Sequence, residues 1–419
     1  MNRQLPLLLE EPQKQTERVI DWTFKDADTQ YLTHGLHPYP ARMIPQIASN
    51  LMDMYLSGLK EPLVVDVFCG SGTVNVEASL KGFRSFGIDI NPLAILLSTT
   101  KTTKLKDINK LTELRNKLFN ELEYHTRTRI CMELIPKCKN LNHWFKDDAI
   151  EKLSYLKYQI QLIQDVYMKN LILIVFANTL MKVSNVDWKS SRYIRILQKE
   201  KLDIHKPNVY QIFKYSFLDM EHRIKKYLQL KKTDATIIKA DTRNLPFVDN
   251  FADIIITSPP YGEERNTIPY IRWSKLFLLW LGIEDTKITK IEKLSLGGNT
   301  KNQIDKEEIP SETFWKAIKN VPENRTNEAL PFMRDYRIVL QEMKRILKPG
   351  SLCCIVVGNR SIKRNMLDMG KVTEEFAYNV GFELENIFRR SIPKKMIPWI
   401  TPTGETIFNE SIVILKKKN

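Results

Sequence analysis

Four short apolar runs rich in β-branched residues punctuate the chain, at residues 63–68, 85–90, 236–241 and 253–257. Each is of strand length, and each stops abruptly at a polar, glycine or proline turn, the pattern of a strand buried on both faces. Apolar positions at helical spacing lie between them. The run after Pro45 predicts a helix with proline in its first turn, and residues 74–81 predict a second. Residues 111–124, 150–181 and 209–230 predict several more, followed by helices over 270–281 and 333–347. Lys348-Pro349-Gly350 then reads as a turn into a buried strand over 351–359, and residues 383–389 and 411–415 supply two strands that form an antiparallel edge hairpin joined by a proline-rich loop. Residues 283–330 are polar, with Gly297-Gly298 and few large apolar groups, and are expected to form a mobile flap near the site. Alternation of strand and helix predicts an α/β fold.

The chemistry gathers where strands end. Asp253-Ile254-Ile255-Ile256-Thr257 runs into Ser258-Pro259-Pro260-Tyr261. Two successive prolines cannot donate to a ladder and hold the backbone stiff, so they leave fixed carbonyl acceptors beside a hydroxyl and an aromatic ring. The 63–68 strand ends in Cys69-Gly70-Ser71-Gly72-Thr73 before a helix. Glycine there permits a tight turn and lets a ligand approach backbone N–H groups at the helix start. Asp89 closes the next strand about 20 residues after the glycine loop, where a carboxylate accepts from ribose hydroxyls. The loop has neither the phosphate-binding lysine of a P-loop nor a complete GxGxxG, which favours an adenosine ligand without phosphates. Asp241, closing a third strand, is placed to meet an adenine amine. An entry loop stiffened by three prolines, residues 31–45, carries His37, Tyr39 and Arg42.

Composition adds a partner class. With 419 residues, 43% hydrophobic, the chain is long enough for one large α/β domain and a smaller second unit. Lys plus Arg number 64 against 49 Asp plus Glu, a formal charge of +15. Residues 99–232 hold 27 basic and 14 acidic side chains, so nearly all of the excess is there, interleaved with Trp144, Phe145, Trp188, Arg192, Tyr193, Arg195 and Tyr210. Bases stack on aromatics and phosphates pair with cations, so this basic, mainly helical insertion is expected to contact nucleic acid. The five cysteines show no paired CxxC units, so neither a metal site nor a disulfide framework is expected. Cys69, Cys353 and Cys354 read as core residues. The Leu-rich stretch near the amino terminus lacks the basic flank of a signal peptide, and the most apolar run, residues 171–180, is short for a bilayer span of about 20 residues. The expectation is a soluble, cytoplasmic protein with no membrane partner.

On these residues the chain resembles the amino-group DNA methyltransferases that use S-adenosylmethionine, in the branch carrying Ser-Pro-Pro-Tyr. Asp66-Val67-Phe68-Cys69-Gly70-Ser71-Gly72-Thr73 is similar to their methionine-binding loop, Asp89 with Ile90 to their ribose acid, Asp241 to their adenine-side acid and Ser258 to Tyr261 to their catalytic motif. His37-Pro38-Tyr39-Pro40-Ala41-Arg42 resembles the segment preceding the cofactor loop in members with this motif order, which adds Tyr39 and Arg42 to the cofactor-binding set. The resemblance implies a Rossmann-like fold with a mostly parallel seven-stranded sheet, built from residues 1–98 and 233–419, with 99–232 inserted as a target-recognition domain. It also implies N4 methylation of cytosine in double-stranded DNA on a flipped base, in a bacterial restriction-modification system with a cognate endonuclease. The same class acting on adenine N6 or on RNA is one alternative. A catalytically silent DNA-binding scaffold is another.

Overall fold

The computed structural model describes residues 21–124, 131–188, 196–262, 267–299, 304–363, 365–392, 400–401, 404–405 and 409–419. Seven strands form its main sheet: β1 (Leu63–Asp66), β2 (Arg84–Asp89), β3 (Ala235–Lys239), β4 (Ala252–Thr257), β5 (Leu347–Gly358), β6 (Phe382–Ser391) and β7 (Asn409–Lys417). Their order is β3-β2-β1-β4-β5-β7-β6, with β7 antiparallel to both neighbours and the other pairings parallel. This is the Rossmann-like arrangement of S-adenosylmethionine-dependent methyltransferases, and its strand order reverses between β1 and β4, where open α/β sheets bind ligands.

Side chains alternate across the sheet as strand geometry requires. Val65, Ile255, Cys353 and Val413 face helices α10 (Glu323–Ile346) and α11 (Met369–Val380). Val64, Ile254, Cys354 and Ile412 face α1 (Pro45–Leu56) and α2 (Thr73–Lys81). The basic third builds a separate apolar core. There α4 (Ile108–Tyr124), α5 (Asp147–Gln161), α6 (Val166–Val183) and α7 (Val209–Leu230) pack with α3 (Pro92–Lys101) and α8 (Tyr270–Trp280). Trp280 is fully buried at the centre, edge-on to Phe145 and Phe176 at 5.9 and 5.8 Å.

Several expectations need correction. Helix α3 spans residue 98 and runs on to Lys101, with Ser98, Thr100 and Lys101 buried. Phe145 is a fully buried core residue, and Tyr210 is half-buried, so neither ring is presented to a base. Arg192, Tyr193 and Arg195 lie outside the described residues, as does most of the proline-rich connection between β6 and β7. The 150–181 stretch is two helices parted at residues 162–165, where the Asp165 side chain caps α6 by accepting from Tyr167 and Met168 N–H. By length and composition α6 is long and apolar enough to cross a membrane, more than the ten-residue run suggested; half of it is buried here, with Leu171, Ile174 and Val175 fully enclosed.

Residues 283–330 are not an open flap. They contain α9 (Asp285–Leu294) and a short helix, Glu312–Ile318, and bury Ile288, Leu296, Ile309, Phe314 and Ile318, apolar anchors too widely spaced to stand out in a polar sequence. Helix α10 begins ten residues before the predicted start and carries Pro331 within it. Proline costs a helical hydrogen bond, but burial of Ala329, Pro331 and Phe332 outweighs that loss. Lys348 to Gly350 belong to β5 as an irregularity in its pairing with β4, Gly350 having φ +72°. Replacing Trp280 by Ala should lower stability by about 3–5 kcal/mol, read as a lower denaturant midpoint in chemical unfolding.

Candidate active site

A cleft of about 1020 Å³, its open mouth included, lies over the carboxyl ends of β1, β2 and β4. Its floor is the turn after β1. Gly70 and Gly72 have φ of +48° and +80°, a conformation open to glycine and strained for other residues. A Cβ on Gly72 would sit 2.8 Å from Ser98 Cβ on α3, and one on Gly70 would meet the Tyr39 ring at 3.3 Å. The loop is tied to β2 by Cys69 N–H to the Ile88 carbonyl at 2.9 Å and Gly70 N–H to Asp89 Oδ2 at 3.0 Å. Ser71 is buried, lines the cleft and its hydroxyl has no protein partner, a polar atom in position for a ligand.

Three acids face this space in different states. Burial pushes Asp66 up to about 7, against hydrogen bonds from Thr257 Oγ (2.6 Å) and Phe68 N–H (3.1 Å) that favour its carboxylate. Burial likewise raises Asp89 to about 6, opposed by N–H donors of Asn91, Gly70 and Ile90. Asp241 is also partly desolvated, but Arg243 holds it below the usual carboxylate range through both its backbone N–H and its guanidinium. The same guanidinium reaches Asp335 Oδ2 at 2.7 Å and the Leu294 carbonyl at 2.8 Å, fastening α9 and α10 to this end of the cleft.

The entry loop forms one wall. His37 is buried, and burial lowers its pKa to about 3, so the ring is neutral. Asn178 on α6 donates through Nδ2 to the Leu36 carbonyl at 2.7 Å, which leaves its Oδ1 to accept from His37 Nδ1 at 2.6 Å. His37 therefore holds the loop to α6. Tyr39 lies between Asn91, whose Nδ2 reaches its hydroxyl at 3.2 Å, and the rings of Tyr270 and Trp273 at 6.0 and 6.1 Å. Arg42 lines the cleft with its guanidinium tied to the His34 carbonyl at 2.5 Å.

Opposite stands the turn after β4. Ser258 Oγ donates to the Val356 carbonyl of β5 at 3.0 Å, so its lone pairs stay available as acceptors. The Tyr261 hydroxyl donates to Glu410 Oε1 at 2.9 Å. Among the sequence-predicted residues, Tyr39, Arg42, Asp66, Phe68, Cys69, Ser71, Thr73, Asp89, Ile90, Asp241, Ser258 and Pro260 line one cleft, together with Gly70. Gly72, Pro259 and Tyr261 do not line it; Gly72 serves the turn behind it, and Tyr261 points its hydroxyl to β7. The sequence pattern did not mark Asn91, Thr242, Tyr270 and residues 294–296, which also line it. Asn91-Pro92 is a legible helix start, since Asn91 caps α3 through Leu93 N–H.

No family model matches the chain. It is 30% identical to the Type II methyltransferase M.MvaI of Kocuria varians over 428 aligned positions, covering 94% of this chain and 93% of that one. Identity to the Type II methyltransferase M.BsoBI of Geobacillus stearothermophilus is 22%, covering 91% and 84%. Among solved structures, an S-adenosylmethionine-dependent methyltransferase from Methanosarcina mazei overlaps 91% of this chain and 100% of its own at 12% identity and a TM-score of 0.32. Identity of 30% to M.MvaI, extending over nine-tenths of both chains, shows that the chain belongs to the Type II methyltransferases, amino-group DNA methyltransferases that use S-adenosylmethionine.

Proposed function

We propose that this enzyme methylates the exocyclic N4 amine of cytosine at a specific site in double-stranded DNA, on a base turned out of the duplex, as the modification partner of a restriction endonuclease. The observation that carries this reading is Ser258. Its hydroxyl is polarised by donating to a buried strand carbonyl, and it faces the cleft as a neutral acceptor. The lone pair of an exocyclic amine is conjugated into its ring and is a poor nucleophile. Ser258 Oγ and the Pro259 carbonyl accept the two amine hydrogens, hold the nitrogen pyramidal and localise that lone pair. The Tyr261 ring stacks on the base, offsetting part of the few kcal/mol of unstacking.

When bound, S-adenosylmethionine supplies an electrophilic methyl group on its sulfonium. The residues present fit it: Gly70 and Ser71 line the cleft, Ser71 offers an unpaired hydroxyl to the amino-acid end, Asp89 accepts from the ribose and Asp241 serves the adenine end. Carbon-5 methylation needs a cysteine nucleophile. Burial raises the thiols of Cys69, Cys353 and Cys354, which holds them protonated and argues against that route.

The helical third serves DNA. Trp188 packs on Trp273, whose ring meets Tyr39, and Lys199, Lys201 and Lys206 of the same third are exposed. Replacing these three lysines by Ala should reduce the slope of log affinity against log salt by roughly 0.9 for each phosphate no longer neutralised, measured by fluorescence anisotropy. Cofactor affinity, measured calorimetrically, should fall as pH drops through about 6, because protonated Asp89 loses acceptor capacity; Asp89→Asn should bind more weakly and flatten that dependence, leaving any part owed to Asp66. Nucleosides from DNA treated with labelled cofactor should carry label in N4-methylcytosine, and label in N6-methyladenine would transfer the assignment to adenine. Ser258→Ala should slow transfer by about 100-fold or more while cofactor affinity holds.

A further inference from the structure

We infer that Glu410, anchored by Arg390, is a positioning residue that sets the orientation of Tyr261 and so the wall against which the target base is held. The inference rests on reading residues 258–261 as the catalytic motif. Six of the seven strands point their carboxyl ends to the edge of the sheet that carries the cleft, but β7 is antiparallel, so its first residues lie at that edge. Glu410 is the second residue of β7, paired directly with Gly358 on β5 and Arg390 on β6. Its two carboxylate oxygens have separate tasks. Oε2 accepts from Arg390 Nη1 at 2.7 Å, and Oε1 accepts from the Tyr261 hydroxyl at 2.9 Å.

Arg390 is itself 4% exposed, so the pair is nearly dry and its geometry is held firmly. A second guanidinium nitrogen lies 3.4 Å from the Thr23 carbonyl, which steadies the cation from the other side. Burial, reinforced by the Glu410 charge, keeps the Tyr261 hydroxyl protonated and therefore a donor. That hydroxyl also lies 3.5 Å from Ser258 Oγ, so both side chains of the motif meet the one anchored point. The two prolines between them stiffen the backbone but leave the tyrosine torsions free, and a fixed acceptor at the ring's far end removes that freedom. A buried ion pair adds little stability by itself, so packing alone does not account for a carboxylate aimed at the catalytic loop.

The test uses the full-length enzyme, with single-turnover methyl transfer to its DNA site and calorimetric cofactor affinity read together. Glu410→Ala should slow transfer roughly 10- to 100-fold with cofactor affinity unchanged, and Glu410→Gln, which keeps a carbonyl acceptor for Tyr261, should recover most of that loss. Tyr261→Phe leaves the Glu410–Arg390 pair intact and should slow transfer similarly; in that background Glu410→Ala should add less than about threefold. Losses that multiply, or a Tyr261→Phe enzyme as fast as the parent, would overturn the proposal. Because Glu410→Ala strands Arg390 in the sheet, the Tyr261→Phe result decides the matter where the alanine variant fails to bind cofactor. Full activity in Ser258→Ala would instead remove the catalytic reading of the motif, a separate failure.

Discussion

The hydrogen bond from Thr257 Oγ to Asp66 Oδ1, 2.6 Å long, joins the last residue of β4 to the last residue of β1 at the point where the strand order reverses. The Phe68 N–H is shared between the same two side chains at 3.1 Å each, so the glycine turn and the Ser-Pro-Pro-Tyr turn leave from one buried junction. The junction fixes the spacing of the two turns that line the cleft. Each such bond contributes about 1 kcal/mol net, yet a buried partner left unpaired costs more, which holds the two turns together more firmly than the bond strength alone suggests.

The helical third depends on that junction only indirectly. It reaches the cleft through the entry loop, where Asn178 of α6 holds both the Leu36 carbonyl and the neutral ring of His37. Tyr39, two residues on, closes over Gly70 and packs on Tyr270 and Trp273. Movement of α6 therefore bears on the cofactor loop through four residues of chain. The helical third and the glycine turn are thus linked through one short segment.

Two arginines fasten turns near the cleft. At one end Arg243 binds Asp241, Asp335 and the Leu294 carbonyl, drawing residues 294–296 into the lining. At the other end Arg390 holds Glu410 beneath the catalytic turn. Both guanidiniums form charge-assisted bonds, that of Arg390 almost wholly buried and that of Arg243 partly exposed. Between these clamps lie the flexible choices, the orphaned Ser71 hydroxyl and the acids raised by burial, which are the groups a ligand has to satisfy.

What was legible in the sequence was whatever a local pattern has to encode. Strand runs announce themselves by β-branched residues, and the acids closing them by position, so Asp66, Asp89, Asp241 and Ser258 all fall on the cleft they were expected to share. The helical residues 283–330 were misread because their apolar anchors come from scattered positions, Ile288, Leu296, Ile309 and Phe314, that show no short period. Phe145 looked available among charges, yet it pairs with Trp280, 135 positions further on. Glu410 was illegible for a stronger reason. Nothing near it marks it as part of a site; its role follows from the reversal of one strand, which carries a residue near the end of the chain to a tyrosine 149 positions earlier. A local pattern can name the residues that line a turn, but topology alone determines which distant side chain holds that turn in place.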